Sequence, residues 1–177
     1  PVAQVVHAMG GAGKTQLAVE FTYRYGRFFH GVHWLNAVQP SSLEAQVAEC
    51  GLAMGLPNWP DRQPEQVART LRAWSESGPR LIVLDNIEDV PVARDWLARL
   101  AAGGTMRLLL TTRRRSWPAD LGLIPLPLEL FSPAESLAFL RRYLPTAADQ
   151  DLHALAERLG HLPLALELAG RYLADLP

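Results

Sequence analysis

Lysine and cysteine are almost missing from this sequence, which has one lysine beside sixteen arginines and one cysteine. A single cysteine excludes an internal disulfide. We expect Cys50 to pack in a helix rather than to react, which suits a reducing cytosol. No apolar run is long enough to span a bilayer, and no secretory signal peptide is visible. The net charge of −1 gives no overall attraction to nucleic acid or to an anionic membrane. We therefore expect a cytoplasmic globular protein with no membrane partner and no direct nucleic-acid binding by this segment.

The single lysine, Lys14, lies in the glycine-rich run Met9-Gly-Gly-Ala-Gly-Lys-Thr15. In a phosphate-binding loop, backbone N–H groups surround the phosphates while the slim lysine ammonium reaches the β- and γ-phosphates. The threonine that follows offers its hydroxyl to Mg²⁺, and the N-terminus of the next helix attracts the anion. The predicted nucleotide-binding residues are Gly10, Gly11, Ala12, Gly13, Lys14, Thr15 and Gln16.

The segments on either side of the glycine run give it the context that this motif requires. Residues 4–8 form an apolar run typical of a buried strand, and residues 14–25 carry apolar side chains at helical spacing. Ala8 replaces the first glycine of the full phosphate-loop pattern, so the formal match is incomplete. Strand, glycine loop and helix in this order still favour a phosphate-binding loop over an incidental glycine-rich turn.

Two later strands are predicted to end in residues suited to the same chemistry. Asp85 ends the run Leu-Ile-Val-Leu-Asp, a position where proteins with a phosphate loop hold Mg²⁺ directly or through water. Arg113 follows the run Leu-Leu-Leu-Thr-Thr, and ligands bind at the carboxyl edge of open α/β sheets. We expect Thr15 and Asp85 to serve the metal and Arg113 to contact a γ-phosphate. The alternatives are a turn-capping carboxylate for Asp85 and a solvated basic turn for Arg113.

The residue after Asp85 predicts slow hydrolysis. Many hydrolysing ATPases carry a catalytic carboxylate there, whereas Asn86 cannot accept a proton from the attacking water at neutral pH. Glu88 and Asp89 are close in sequence, but the sequence does not show that either reaches a γ-phosphate. A turnover P-loop ATPase of the RecA- or AAA-like motor class is therefore the less favoured alternative.

Apolar runs alternate with helical segments through the first 130 residues. Continuous apolar strands are typical of a parallel sheet buried on both faces. The predicted strands are 4–8, 31–37, 80–85, 107–112 and 124–130, of which the last contains two prolines and is expected at a sheet edge. Capping boxes are predicted at Ser41–Glu44 and Ser132–Glu135, and only helices follow residue 131. The predicted fold is α/β, a P-loop NTPase domain over 1–130 with a five-stranded parallel sheet flanked by helices, followed by a small helical domain over 131–177.

The motifs together resemble the NB-ARC nucleotide-binding module of STAND-class P-loop ATPases. That class includes plant disease-resistance proteins, the apoptosome scaffold and bacterial regulators with tetratricopeptide repeats. The segments that carry the resemblance occur in the family's order and extend over nearly the whole chain. They are the glycine run through Ala18, Val32–Leu35, Leu81–Asn86, Leu109–Arg113 and Gly160–Ala165.

The resemblance implies a role for each matching residue. Asp85 would be the Walker B aspartate, Arg113 the sensor arginine, and Pro163 the proline of a Gly-Leu-Pro-Leu motif that packs on the nucleotide. His161 replaces the usual leucine of that motif. The implied function is an NLR-like ATP/ADP switch with Mg²⁺, ADP-bound when inactive and assembling as a homo-oligomer with ATP. Sensor-repeat and effector domains would lie elsewhere in the same protein. A further alternative is a nucleotide-regulated transcriptional regulator, whose DNA-binding domain would also lie outside this segment.

Overall fold

The computed structural model of this protein describes residues 2–76, 78–101 and 104–176. The chain divides into two compact units, one of Pro1–His7 and Thr15–Pro127 and the other of Ala8–Lys14 and Leu128–Pro177. The first unit contains the sheet, and the second contains the glycine run and the last three helices. The predicted domain boundary at residues 130/131 stays a prediction.

The first unit is built on a five-stranded sheet with the strand order β2-β3-β4-β1-β5. Each strand is parallel to its neighbours. The strands are β1, Val2–His7; β2, Gly31–Asn36; β3, Arg80–Asp85; β4, Arg107–Thr112; and β5, Leu123–Pro127. This architecture confirms the predicted α/β class with a five-stranded parallel sheet.

Burial along the strands explains their apolar sequences. Every residue of β3 is buried, and so is every residue of β4 except Arg107. Strands that are covered on both faces need continuous apolar runs rather than alternation. β5 lies at the edge of the sheet, as predicted, because Pro125 and Pro127 have no N–H to donate to a further strand.

Four α-helices accompany the strands along this part of the chain. They are α1, Lys14–Tyr25; α2, Leu43–Ala53; α3, Gln63–Glu76; and α4, Val90–Ala101. Buried Trp74 of α3 and Trp96 of α4 belong to the same apolar core as the strand residues Ile82, Leu84 and Leu110. Of the helices described, none combines the length and apolar character needed to cross a membrane.

The capping box predicted at Ser41–Glu44 is wrong. A 3₁₀ turn occupies Pro40–Ser42, α2 begins only at Leu43, and Ser42 makes no side-chain capping bond. The Ser42 hydroxyl instead donates to the Gln39 carbonyl at 2.8 Å, and Glu44 Oε1 accepts from Arg99 Nη1 of α4 at 3.1 Å. A proline-initiated turn and a long-range ion pair therefore replace the local capping interaction.

The second unit ends in three helices with their own small core. These helices are α5, Pro133–Arg141; α6, Asp149–Arg158; and α7, Pro163–Ala174, and their buried core residues are Leu140, Leu152, Ala156 and Leu166. The capping box predicted at Ser132–Glu135 is confirmed. The Glu135 N–H donates to Ser132 Oγ at 3.2 Å, and the Ser132 N–H donates to Glu135 Oε2 at 2.8 Å.

Candidate functional site

Asp85, at the carboxyl end of β3, is a largely buried carboxylate of the first unit. It is 7% exposed, and its Oδ1 accepts hydrogen bonds from Thr15 Oγ1 at 3.0 Å and from Thr111 Oγ1 of β4 at 2.5 Å. Thr15 Oγ1 is also 3.3 Å from Oδ2. Two hydroxyl donors compensate a largely buried carboxylate for its lost hydration. The structure thus brings together Thr15 and Asp85, the two residues predicted to serve a metal.

The turn after Asp85 is fixed by the neighbouring strand. The Asn86 N–H donates to Thr111 Oγ1 at 2.9 Å, and the Ile87 N–H donates to the Thr111 carbonyl at 3.0 Å. Asn86 has a φ of 65°, in the left-handed region that asparagine tolerates better than most residues. An asparagine at this position is therefore explained by backbone geometry.

Thr15 and Asp85 offer oxygen ligands of the kind that Mg²⁺ prefers. Magnesium in nucleotide sites is commonly held by one or two protein oxygens together with waters and substrate phosphates. A hydroxyl that now donates to Asp85 can turn a lone pair towards a cation placed beside the carboxylate. Across residues 2–76, 78–101 and 104–176, no three His, Cys, Asp or Glu side chains form a metal-binding group. The hydroxyl of Thr15 and the carboxylate of Asp85 are oxygen donors that fit Mg²⁺.

Arg113 follows β4 and contacts Glu88. Glu88 Oε1 accepts from the Arg113 N–H at 2.8 Å and from Arg113 Nε at 3.3 Å, while Glu88 Oε2 accepts from Thr112 Oγ1 at 3.2 Å. Sequence reasoning gave Glu88 no role, because nothing in the local pattern shows that it reaches the end of β4. The register between β3 and β4 brings the two segments together.

The glycine run, in the second unit, has the backbone that its composition predicts. Gly11 and Gly13 have φ values of 79° and 95°, a region in which side chains are strained. Lys14 is 7% exposed, and its ammonium donates to the carbonyls of Ala8 at 3.0 Å and Met9 at 2.9 Å. The lysine therefore folds back over its own loop. Gln16, the last residue of the predicted phosphate site, is exposed in the first turn of α1.

The same loop is hydrogen-bonded to the start of α7, within the second unit. The Leu164 N–H donates to the Gly11 carbonyl at 3.1 Å, and a Cβ added at Gly11 would lie 3.2 Å from the Leu164 Cβ. Pro163 is the first residue of α7, so it lies next to this contact. Its predicted contact with a nucleotide stays a prediction.

His161 holds the turn before α7 in place. It has a φ of 54°, its Nδ1 lies 2.8 Å from Ser136 Oγ of α5, and its Nε2 lies 3.3 Å from Glu157 Oε1 of α6. The backbone N–H of His161 also donates to the Ala156 carbonyl at 3.0 Å. A polar side chain at this position is therefore explained by its bonds to the two neighbouring helices.

His33 lies on β2 in a packed and polar environment. Its ring stacks on Trp74 with centroids 4.5 Å apart, and Arg80 Nη1 donates to its Nε2 at 3.0 Å. Burial, helped by the charge of Arg80, lowers the pKa of His33 to about 4. This histidine is therefore a neutral structural residue. Cys50 is half-buried on α2, and burial raises the pKa of its thiol.

Comparison with solved structures identifies the fold. Over 94% of its length the chain superposes with a TM-score of 0.60 on a STAND protein with a tetratricopeptide repeat sensor from Pyrococcus horikoshii, at 16% identity. Drosophila ORC bound to DNA matches 98% of the chain with a TM-score of 0.55 at 18% identity. A DNA replication initiation factor matches 88% of the chain with a TM-score of 0.56 at 11% identity. The fold is that of the P-loop ATPases.

The comparisons establish the fold alone. The chain spans 27%, 49% and 50% of the lengths of these three proteins, respectively. No protein-family model matches the sequence, and no curated protein matches it significantly.

Proposed function

We propose that this chain is the ATP/ADP-binding switch domain of a STAND-type signalling protein of the NB-ARC kind. ADP would hold the inactive state, and exchange for ATP would allow assembly into a homo-oligomer. Sensor-repeat and effector domains would belong to the same protein outside this segment. The proposed location is the cytoplasm, where ATP is abundant.

The hydrogen bond between Thr15 and Asp85 carries this proposal. A threonine directly after the lysine of a glycine loop and an aspartate at the end of a buried strand are the two protein ligands that Mg-nucleotide sites use. Their oxygens lie 3.0 Å apart in this chain. In an α/β protein that binds no nucleotide, the fold itself does not require a threonine at a helix N-terminus to contact a buried carboxylate. The pair therefore supports a Mg-nucleotide function over a nucleotide-free scaffold.

The glycine run supports the same proposal through its backbone. Left-handed glycines at positions 11 and 13 would let successive N–H groups of the loop turn towards one anion. The Lys14 ammonium, which is held by two loop carbonyls, would exchange these acceptors for phosphate oxygens. A bond from the ammonium to a phosphate oxygen joins two opposite charges, whereas its bond to a carbonyl has one charged partner, so the exchange would strengthen the bonds that the lysine makes.

The link between the loop and α7 supports a switch rather than simple binding. The Gly11 carbonyl and the Leu164 N–H are bonded within one unit, so a ligand that adjusts the loop also acts on the start of α7. A nucleotide shifts a conformational equilibrium only if it contacts the two states differently. Arg113, as the proposed γ-phosphate sensor, would distinguish ATP from ADP, and Pro163 would pass the difference to the helical segment.

A turnover ATPase is the second candidate, because the chain also superposes on Drosophila ORC bound to DNA and on a DNA replication initiation factor, with comparable TM-scores. The environment of Asn86 argues against it. Asn86 follows Asp85, the proposed Walker B aspartate, and its backbone N–H donates to Thr111 Oγ1. We therefore propose slow hydrolysis, and steady-state turnover well above about 1 per second would favour the second candidate.

Calorimetric titration with MgADP and MgATP tests the proposal. The wild-type chain should bind both, and Lys14→Ala should abolish tight binding while its far-UV circular dichroism stays unchanged. Lys14→Arg should be nearly as damaging, because a planar guanidinium does not replace a slim ammonium within the loop. Equal nucleotide affinity in wild type and Lys14→Ala would contradict the proposal.

A further inference from the structure

The carboxylate of Glu88 is bound as an anion by three donors at the end of β4. The Arg113 N–H and Arg113 Nε both reach Oε1, and the Thr112 hydroxyl reaches Oε2. The Thr112 oxygen in turn accepts from the Arg114 N–H at 3.1 Å, which directs its proton away from that amide and towards Glu88. A hydroxyl, a backbone N–H and a guanidinium thus converge on one carboxylate.

These three donors are also the groups with which proteins bind phosphoryl oxygens. Charge-assisted bonds from arginine and from backbone N–H groups recognise carboxylate and phosphate alike, because both present oxygens with negative charge. The donors lie at the carboxyl edge of a parallel sheet, where open α/β folds bind their ligands. We call these donors of Thr112 and Arg113 the Thr112–Arg113 receptor. It is suited to an external anion, and in this structure the Glu88 carboxylate fills it.

Glu88 is held weakly enough to be displaced. The Arg113 side chain is 66% exposed and that of Glu88 is 34% exposed, so water screens their attraction. Exposed ion pairs contribute little to stability. By contrast, Asp85 is 7% exposed and is bonded to two hydroxyls. Of these two carboxylates, Glu88 is the one that can leave its donors without exposing a buried charge.

We infer that Glu88 is a specificity-determining residue: it acts as an internal anion that occupies the Thr112–Arg113 receptor and must be displaced by a γ-phosphate. This inference rests on the proposed ATP/ADP switch. ATP would have to compete with Glu88, whereas ADP has no γ-phosphate and would leave Glu88 in place. Glu88 therefore lowers the affinity for ATP relative to ADP and raises the ATP level at which the switch changes state.

The test compares Glu88→Gln with the matched control Asp89→Asn. Both changes remove one negative charge from the same turn, and Asp89 is exposed and uses Oδ1 to accept the Val92 N–H at 2.9 Å, which asparagine also does. In calorimetric titrations, Glu88→Gln should tighten binding of Mg-AMPPNP about fivefold, at the upper end for an exposed ion pair, and leave MgADP within about twofold. Asp89→Asn should change neither.

Two results would overturn the inference while nucleotide binding itself stands. One is an equal change in Mg-AMPPNP and MgADP affinity in Glu88→Gln, which would indicate a general charge effect. The other is an undiminished gain in an Arg113→Ala background, because that change removes the charged donor among the three that hold Glu88. Failure of the wild-type chain to bind either nucleotide would instead contradict the proposed function.

A second measurement tests the receptor without any nucleotide. In ¹⁵N-labelled protein, inorganic phosphate should shift the Arg113 amide and Nε resonances of Glu88→Ala at concentrations that leave those of the wild type unchanged. Asp89→Ala should behave like the wild type. Identical phosphate responses in Glu88→Ala and wild type would show that Glu88 does not occupy an anion receptor, and the inference would be wrong.

Discussion

Acid should destabilise the first unit through His33. The neutral ring accepts a hydrogen bond from Arg80 and stacks on Trp74, and protonation would remove the acceptor and place a second cation beside the guanidinium. The pKa falls from 6.5 to about 4 in the folded state. Below pH 6.5 the unfolded chain therefore binds more protons than the folded chain, so stability is lost as the pH falls and is fully present above that value.

The size of the effect follows from that shift. One pKa unit corresponds to about 1.4 kcal/mol, so the free energy of unfolding should fall by about 2 kcal/mol between pH 7.5 and pH 5. The loss should approach about 3 kcal/mol near pH 4, where carboxylates begin to contribute as well. Because His33 is 9% exposed, screening by water reduces this value only modestly.

Urea denaturation at a series of pH values between 7.5 and 5 measures this slope. His33→Gln, which keeps an acceptor for Arg80, should lose most of the pH dependence, whereas exposed His153 replaced by glutamine should keep it. A slope in His33→Gln equal to that of the wild type would refute the assignment of the effect to His33.

Three further changes have defined outcomes. Gly51→Ala should lower stability by about 1–3 kcal/mol in urea denaturation, because its Cβ would lie 2.0 Å from Thr70 Oγ1, whereas Gly26→Ala meets nothing closer than 3.4 Å and should cost less. Ser132→Ala should cost about 1 kcal/mol by removing a capping box, and Ser132→Thr should restore most of it. Thr15→Ala should make the affinity for ADP nearly the same with Mg²⁺ as with EDTA in calorimetry, while Thr15→Ser should keep the dependence on Mg²⁺.

The sequence was most informative where local pattern and burial agree. The predicted bounds of β3 and β4 match the structure because both are continuous apolar runs that become buried on both faces. The edge position of β5 followed from its prolines. Helix α1 also has its predicted bounds, Lys14–Tyr25, since its apolar spacing starts directly after the glycine run.

The rest depends on contacts between distant segments. Glu44 has the spacing of a capping residue, but Arg99, 55 residues away, binds its carboxylate instead. Glu88 reaches Arg113 only because β3 and β4 are neighbours. Likewise, His161 meets Ser136 across 25 residues of chain. Such pairs have no local signature, so a single sequence does not reveal them.

The nucleotide content of the purified protein tests the central claim most directly. The chain should be prepared without added nucleotide and then denatured, and the released small molecules should be separated by ion-exchange chromatography. We predict close to one ADP per chain for the wild type and none for Lys14→Ala. A wild-type protein that releases no nucleotide, and that afterwards binds neither MgADP nor MgATP in calorimetry, would contradict a nucleotide switch.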